Sequence, residues 1–123
     1  MPIEPTAEAL ERFPIGDTGR PLVLTQLLRF TPGGRERYLE YFAKVEPLLG
    51  RIGAQLTYAG ECLEEPLLAG PGQAWDAVVI VRYPTRAAYA DLLRDPDYQS
   101  AVALRRAALS EAVMLPMDDW PGR

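Results

Sequence analysis

The segment from Trp75 to Leu109 constrains the fold of this chain most, because it joins one strand to two helices whose starts are both marked. Within it, Ala77 to Val81 is an unbroken apolar run rich in β-branched residues, which predicts a strand buried on both faces. Thr85 and Asp95 each offer a side-chain oxygen to the free amides of a helix start, and a proline follows Asp95 at the first helical position. The segment therefore predicts a strand, a helix, a sharp break and a second helix.

The rest of the chain adds three strands and one long helix. Leu22 to Phe30 predicts the first strand, Gln55 to Leu63 the second and Val113 to Met117 the last. A helix capped by Thr31 follows the first strand, and its apolar stripe at three- and four-residue steps consists of Tyr38, Tyr41, Phe42, Val45, Leu48, Leu49 and Ile52. The resulting βαββαβ order predicts a ferredoxin-like α+β fold, in which an antiparallel sheet carries its helices on one face.

Length and charge limit the number of domains and the classes of partner. With 123 residues the chain suits one domain, and we expect residues 21–120 to form it and residues 1–20 to be an N-terminal extension. A net charge of -4 argues against nucleic acid or an anionic membrane as partner, because both attract concentrated positive charge. The lone Cys62, the lack of an export leader and the lack of a bilayer-length apolar run predict a cytoplasmic protein.

The two faces of the predicted sheet differ in polarity. Alternation along the first and third strands predicts a helix-covered face made of Leu22, Leu24, Gln26, Leu28, Phe30, Trp75, Ala77, Val79, Val81 and Tyr83. On the opposite face, Leu27, Val78 and Ile80 form a patch too apolar for open water, so we expect a second subunit's sheet to cover it. This predicts a homodimeric α/β barrel whose inter-sheet cavity is lined by Thr25, Arg29, Asp76 and Arg82.

The sequence YPTRAAYADLLRDPDYQSAVALR resembles the pattern of an uncharacterised family, domain-of-unknown-function family thirteen-thirty. The residues that match the family pattern at the right spacing are Tyr83, Pro84, Thr85, Pro96, Tyr98, Gln99 and Arg105. The resemblance implies a homodimer of the dimeric α+β barrel superfamily, which includes cofactor-free oxygenases, haem-degrading enzymes, isomerases and ligand-sensing domains. Because the chain has no histidine, the haem-dependent and histidine-based activities of that superfamily are disfavoured.

Few residue types are left for chemistry. With no histidine and one cysteine, the chain lacks the usual zinc sites and the Ser-His and Cys-His triads. The glycine pair Gly33-Gly34 lacks the rest of either nucleotide-binding fingerprint. We therefore expect no metal and no cofactor, and look to carboxylates, tyrosines and arginines.

Arg105 is the most suggestive single residue, because counting from Tyr98 to Leu109 places it inside the apolar stripe of the last helix. A charge at such a position needs a partner. The residue either holds a structural contact or recognises an anion at a cavity, and both interpretations stay open. Tyr83 and Tyr98 are likewise either core aromatics with a hydrogen-bonded tip or pocket residues.

Asp76 is the best candidate for a general base, since it lies beside Trp75 on a central strand where desolvation would make its carboxylate more basic. Arg29 lies at the same end of the neighbouring strand and is expected to pair with Asp76. Two hypotheses follow. The first is a homodimer that binds a small polar or anionic metabolite in the inter-sheet cavity, with cofactor-free proton transfer or oxygenation as its chemistry. The second is a non-catalytic dimeric structural or protein-interaction module.

Overall fold

A computed structural model describes residues 3–123 and confirms the ferredoxin-like α+β architecture. The sheet is antiparallel and four-stranded, with the order β2-β3-β1-β4. Its strands are β1 (Leu22–Phe30), β2 (Gln55–Glu61), β3 (Ala77–Tyr83) and β4 (Leu109–Met117). As predicted, the first and third strands are the central neighbours, so the helices that cross over them bury the middle of the sheet.

Three helices cover one face of the sheet: α2 (Gly34–Arg51), α3 (Arg86–Arg94) and α4 (Pro96–Ala108). A short helix α1 (Ala7–Arg12) and a 3₁₀ turn (Phe13–Gly16) precede β1. Both predicted caps are present: Thr85 Oγ1 accepts the amide N–H of Ala88 at 3.1 Å, and the Asp95 carboxylate accepts that of Asp97 at 2.8 Å. Within residues 3–123, no helix is long and apolar enough to span a membrane.

The predicted cap of α2 is wrong. The helix begins after Gly33, which adopts the left-handed conformation with φ 72°, and no side chain caps it. Thr31 instead donates its hydroxyl to the carbonyl oxygen of Ala107 at 2.7 Å, so it satisfies the end of α4 rather than the start of α2. Glycine at the αL position carries no steric penalty, which lets the chain turn directly from β1 into α2.

Simple alternation along the second predicted strand places Leu56 and Tyr58 on the same side of the sheet, and this assignment is wrong. The pairing with β3 shifts between Leu56 and Tyr58, so that Thr57 is an extra residue in the strand. Leu56 therefore pairs with Val81 on the helix-covered side, whereas Tyr58 lies on the opposite face and is 56% exposed. A single bulged residue inverts the alternation of side chains beyond it, which the simple period of two does not anticipate.

The core lies between the helices and the predicted face of β1 and β3. Its buried sheet residues are Leu22, Leu24, Leu28, Ala77, Val79, Val81 and Tyr83. On the other face, Leu27, Val78 and Ile80 are only half-buried, so this single chain leaves that side of its sheet partly open. The sequence-based division of the two central strands into a covered and an open face is therefore confirmed.

Candidate functional site

Helix α4 directs Arg105 into the protein interior, where its side chain is 1% exposed. The guanidinium donates to the backbone carbonyl of Ile3 and to Oε1 of Gln26, the latter at 3.2 Å. The expectation that Arg105 lies in the apolar stripe and has a carbonyl partner holds. No carboxylate of residues 3–123 lies within 4.0 Å of it, so its charge is met only by neutral oxygens.

Five buried tyrosines line the same small cavity as this guanidinium. They line a cavity of about 30 Å³ together with Gln26 and Arg105, and they are Tyr38, Tyr41, Tyr83, Tyr89 and Tyr98. The hydroxyls of Tyr41 and Tyr98 share a hydrogen bond of 3.2 Å. Burial raises the pKa of Tyr38 to about 12, although the nearby charge of Arg105 works against this rise. At neutral pH this phenol is a hydrogen-bond donor.

A larger cavity of about 290 Å³ adjoins the first one. Tyr89 and Met114 line both cavities, and the Tyr89 hydroxyl contacts the Met114 sulfur at 3.8 Å. The sheet contributes Leu24, Ala112, Met114 and Pro116 to its wall, and the N-terminal segment contributes Ile3, Glu4, Pro5, Ala9, Leu10 and Phe13. The extension is therefore the roof of an apolar cavity on the helix-covered side of the sheet.

Several contacts hold this roof in place. The Glu4 carboxylate accepts from Nε of Arg106 at 2.5 Å, next to the bond between Ile3 and Arg105. The Phe13 ring meets Tyr89 edge-on, with the ring centroids 6.0 Å apart. The sequence predicted residues 1–20 as an extension and assigned it no role in the site. The signal for its packing is the pair of apolar residues Leu10 and Phe13 on one short helical segment.

The remaining predicted site residues lie on the open face or at its end. The Thr25 hydroxyl donates to the Met117 sulfur at 3.0 Å, and the Arg82 guanidinium pairs with Asp119 at 3.2 Å. Tyr83, Tyr98 and Arg105 lie on the other side of the sheet. The structure thus divides the candidate ligand-binding residues between the two faces of the sheet, so that within this chain they do not line one common cavity.

The expected pair between Arg29 and Asp76 does not form. Arg29 instead pairs with Glu111, its direct neighbour on β4, at 2.8 Å. Its guanidinium carbon also lies 4.3 Å from the ring centroid of Trp75, which therefore contacts an open-face residue rather than the helix side. The Glu111 carboxylate lies directly across the strand pair from Arg29 and forms the ion pair, so Asp76 bonds to a different group.

Asp76 lies just before β3, is exposed, and accepts the backbone N–H of Phe30 at 2.8 Å. The burial beside Trp75 that the sequence predicted for Asp76 is not present. In the described structure Asp76 closes the end of the β1–β3 pair through its bond to Phe30. Its role as a general base stays a prediction, and the burial on which that prediction was based is absent.

Comparison with known proteins places this chain in a family. The model for the domain of unknown function DUF1330 matches residues 27–117. The chain belongs to this family. The match confirms the resemblance found in the segment from Tyr83 to Arg105. It begins in β1 and ends with β4, so the DUF1330 region contains the whole sheet except the first residues of β1.

Solved structures share the fold of this DUF1330 chain. The methylated form of RPA0582, a protein of unknown function from Rhodopseudomonas palustris, is 31% identical with a TM-score of 0.88, and the match covers 99% of this chain and 98% of that one. A dimeric ferredoxin-like protein of unknown function from Jannaschia sp. CCS1 is 14% identical, with a TM-score of 0.63 and coverage of 80% and 99%. A putative antibiotic biosynthesis monooxygenase from Bacteriodes thetaiotaomicron is 15% identical, with a TM-score of 0.60 and coverage of 85% and 94%. The last two likenesses show the fold alone, and curated protein sequences gave no match.

Proposed function

We propose that this DUF1330 protein is a homodimer that binds a small molecule in the 290 Å³ cavity on the helix-covered side of its sheet. The observation that carries the proposal is the position of this cavity. It is lined mostly by apolar side chains, is roofed by the N-terminal segment, and shares the lining residues Tyr89 and Met114 with the cavity that holds Arg105. Ligand sites in proteins are typically such apolar cavities with a few polar groups on one side.

A second copy of the chain is the occupant that fits the open sheet face. The apolar side chains of this face come from all four strands and are Val23, Leu27, Tyr58, Val78, Ile80, Val113, Leu115 and Met117. The ion pairs Arg29–Glu111 and Arg82–Asp119 flank this patch at the two ends of β1. An apolar centre with a charged rim is the composition of a protein interface. The fold is shared with proteins described as dimeric, which supports this part of the proposal.

The pairing of the charged groups favours the helix side as the ligand site. On the open face, Arg29 and Arg82 already have carboxylate partners within the chain. On the helix side, Arg105 has none within residues 3–123, and a cavity lies next to it. Proton transfer or oxygenation without a cofactor stays a prediction; at this site the groups available for it are the phenols of Tyr41 and Tyr98 rather than Asp76.

The cavity can be tested with an uncharged apolar fluorophore such as N-phenylnaphthylamine. Ala112→Phe introduces a ring into the cavity wall, and Ala103→Phe adds the same ring to an exposed position of α4 as a control. We expect saturable fluorescence enhancement with the wild type and with Ala103→Phe, and a loss of binding with Ala112→Phe. Equal binding by all three proteins, or by none, would show that this cavity is not a ligand site.

A further inference from the structure

Arg105 is the one charged residue that is buried among residues 3–123. Its partners are neutral, as are those of the more exposed Arg37 and Arg86. Eight arginines have a carboxylate within 4.0 Å in the described part of the chain, and all of them are more exposed than Arg105; they are Arg12, Arg20, Arg29, Arg35, Arg51, Arg82, Arg94 and Arg106. A buried cation that faces only neutral groups is costly, because desolvation is not repaid by an opposite charge. An anion bound beside Arg105 would supply the missing opposite charge in a site that excludes water, where such a pair is stabilised strongly.

The Arg105 guanidinium has more N–H groups than hydrogen bonds in the described structure. A guanidinium has five N–H groups, and two hydrogen bonds from it are present, to Ile3 and to Gln26. The hydroxyls of Tyr41 and Tyr98 bond to each other, so one of the two protons is left for another acceptor. No buried side-chain nitrogen or oxygen of the described residues lacks a partner altogether. Arg105, Tyr41 and Tyr98 nevertheless line the same small cavity, and their remaining N–H and O–H groups can donate to an anion there.

We propose that Arg105 binds the carboxylate of an amphipathic acid. In the present structure the Ile3 carbonyl accepts the hydrogen bond from Arg105 that this carboxylate would accept. The inference rests on the proposed ligand site, because the apolar body of the acid would occupy the adjoining cavity of about 290 Å³. A carboxylate fits better than a phosphate. It is planar like the guanidinium fork, its single charge matches the single cation, and the space beside Arg105 is only about 30 Å³.

Entry of the carboxylate requires the N-terminal segment to move. Ile3 lines the larger cavity and bonds to Arg105, and the next residue, Glu4, pairs with Arg106. Consecutive residues of the segment are thus fastened to consecutive residues of α4. An anion that binds Arg105 displaces a neutral carbonyl, and an ionised acceptor makes the stronger hydrogen bond.

The decisive experiment compares naphthoic acid with naphthalenemethanol, which has the same apolar body and no charge, by calorimetry at neutral pH. We expect the wild type to bind the acid about tenfold or more tightly than the alcohol, the usual order for a charge-assisted bond. Arg105→Met should bring the acid to the affinity of the alcohol. Arg94→Met, which removes an exposed arginine from α3, is the matched control and should retain the preference for the acid.

The outcomes separate this inference from the proposed function. If the acid and the alcohol bind equally well to the wild type, the cavity is a ligand site but Arg105 is not its anion receptor. If neither binds while the fluorophore fails as well, the proposed site itself is wrong. Arg105→Lys keeps the positive charge but lacks the planar guanidinium, and it replaces Arg105→Met if that variant does not fold. An undiminished preference for the acid in both variants would show that Arg105 does not bind the carboxylate.

The movement of the segment has its own test in Arg106→Gln, which removes a positive charge and frees Glu4. If electrostatics alone governed binding, the loss of a cation would weaken the affinity for naphthoic acid. If the segment must leave Arg105, its release should instead raise the affinity for the acid relative to the alcohol. A lower ratio of acid to alcohol affinity would show that Ile3 does not give way to the ligand.

Discussion

Gly34, the first residue of α2, lies directly against the backbone carbonyl of Ala108 at the end of α4. A Cβ atom at Gly34 would overlap the Ala108 oxygen and would lie 2.8 Å from the Thr31 hydroxyl. That hydroxyl bonds to the carbonyl of Ala107, so the two helix ends and the end of β1 meet at one point. The packing of α2 against α4, which holds Tyr41 next to Tyr98, depends on this close approach.

We expect Gly34→Ala to lower the free energy of unfolding by about 1 to 3 kcal/mol, because the added methyl must push the helix ends apart. Gly50, in the same helix, has open space where a Cβ atom would lie, and Gly50→Ala should raise the free energy of unfolding by about 0.5 to 1 kcal/mol. Urea unfolding of both variants measures the difference. Effects of the same sign would contradict the close packing described at Gly34.

Ile80→Asp should dissociate the proposed dimer, because it places a charge at the centre of the open sheet face beside Tyr58. Light scattering should give twice the chain mass of 13.6 kDa for the wild type and the single chain mass, or an unfolded protein, for the variant. Leu39→Asp is the control, since Leu39 is an exposed apolar residue of α2 and its substitution should leave the dimer intact. A wild-type monomer would refute the dimer.

Stability should fall steeply at alkaline pH. The pKa of Tyr38 is raised by burial from 10.0 to about 12, so the folded state holds the phenol proton more tightly than the unfolded state does. Stability from this group is complete below pH 10 and is lost as the pH rises towards 12, by up to about 1.4 kcal/mol per pH unit. Burial also raises the pKa of Tyr41, Tyr83 and Tyr89, which steepens the loss.

Urea midpoints measured across this range test the prediction. Tyr38→Phe should flatten the alkaline decline, because the variant has one fewer buried phenol to ionise on unfolding. Tyr58→Phe, at an exposed position, should leave the decline unchanged. An identical pH profile for wild type and Tyr38→Phe would contradict the linkage.

Arg105→Leu should keep or raise the melting temperature, since a desolvated charge is exchanged for apolar contact with the tyrosine cluster. Both acceptors, the Ile3 carbonyl and Oε1 of Gln26, are neutral and belong to half-buried residues, so the substitution leaves no buried charge without a partner. The variant should also lose any rise in melting temperature that naphthoic acid confers on the wild type. A loss of a few kcal/mol in the free energy of unfolding would mean instead that Arg105 holds the fold together.

The sequence by itself determined what depends on neighbours along the chain. The caps at Thr85 and Asp95, the alternation in β1 and β3, and the inward phase of Arg105 all follow from local spacing, because the periods of helices and strands are set by backbone geometry. The resemblance to the family was visible in the local pattern between Tyr83 and Arg105, and the family match extends over residues 27–117.

Only the tertiary structure decided which distant groups meet. Thr31 bonds across to Ala107, Arg29 prefers Glu111 to Asp76, and the carbonyl of Ile3 reaches Arg105 near the other end of the chain. Such contacts depend on strand register and on how helices pack, and a bulge of one residue in β2 is enough to move Tyr58 to the other face. The sequence therefore predicted the part of the candidate site that lies on α4, which is Arg105 and Tyr98. It did not predict the roof, because the position of the N-terminal segment is set by tertiary packing and not by a local sequence pattern.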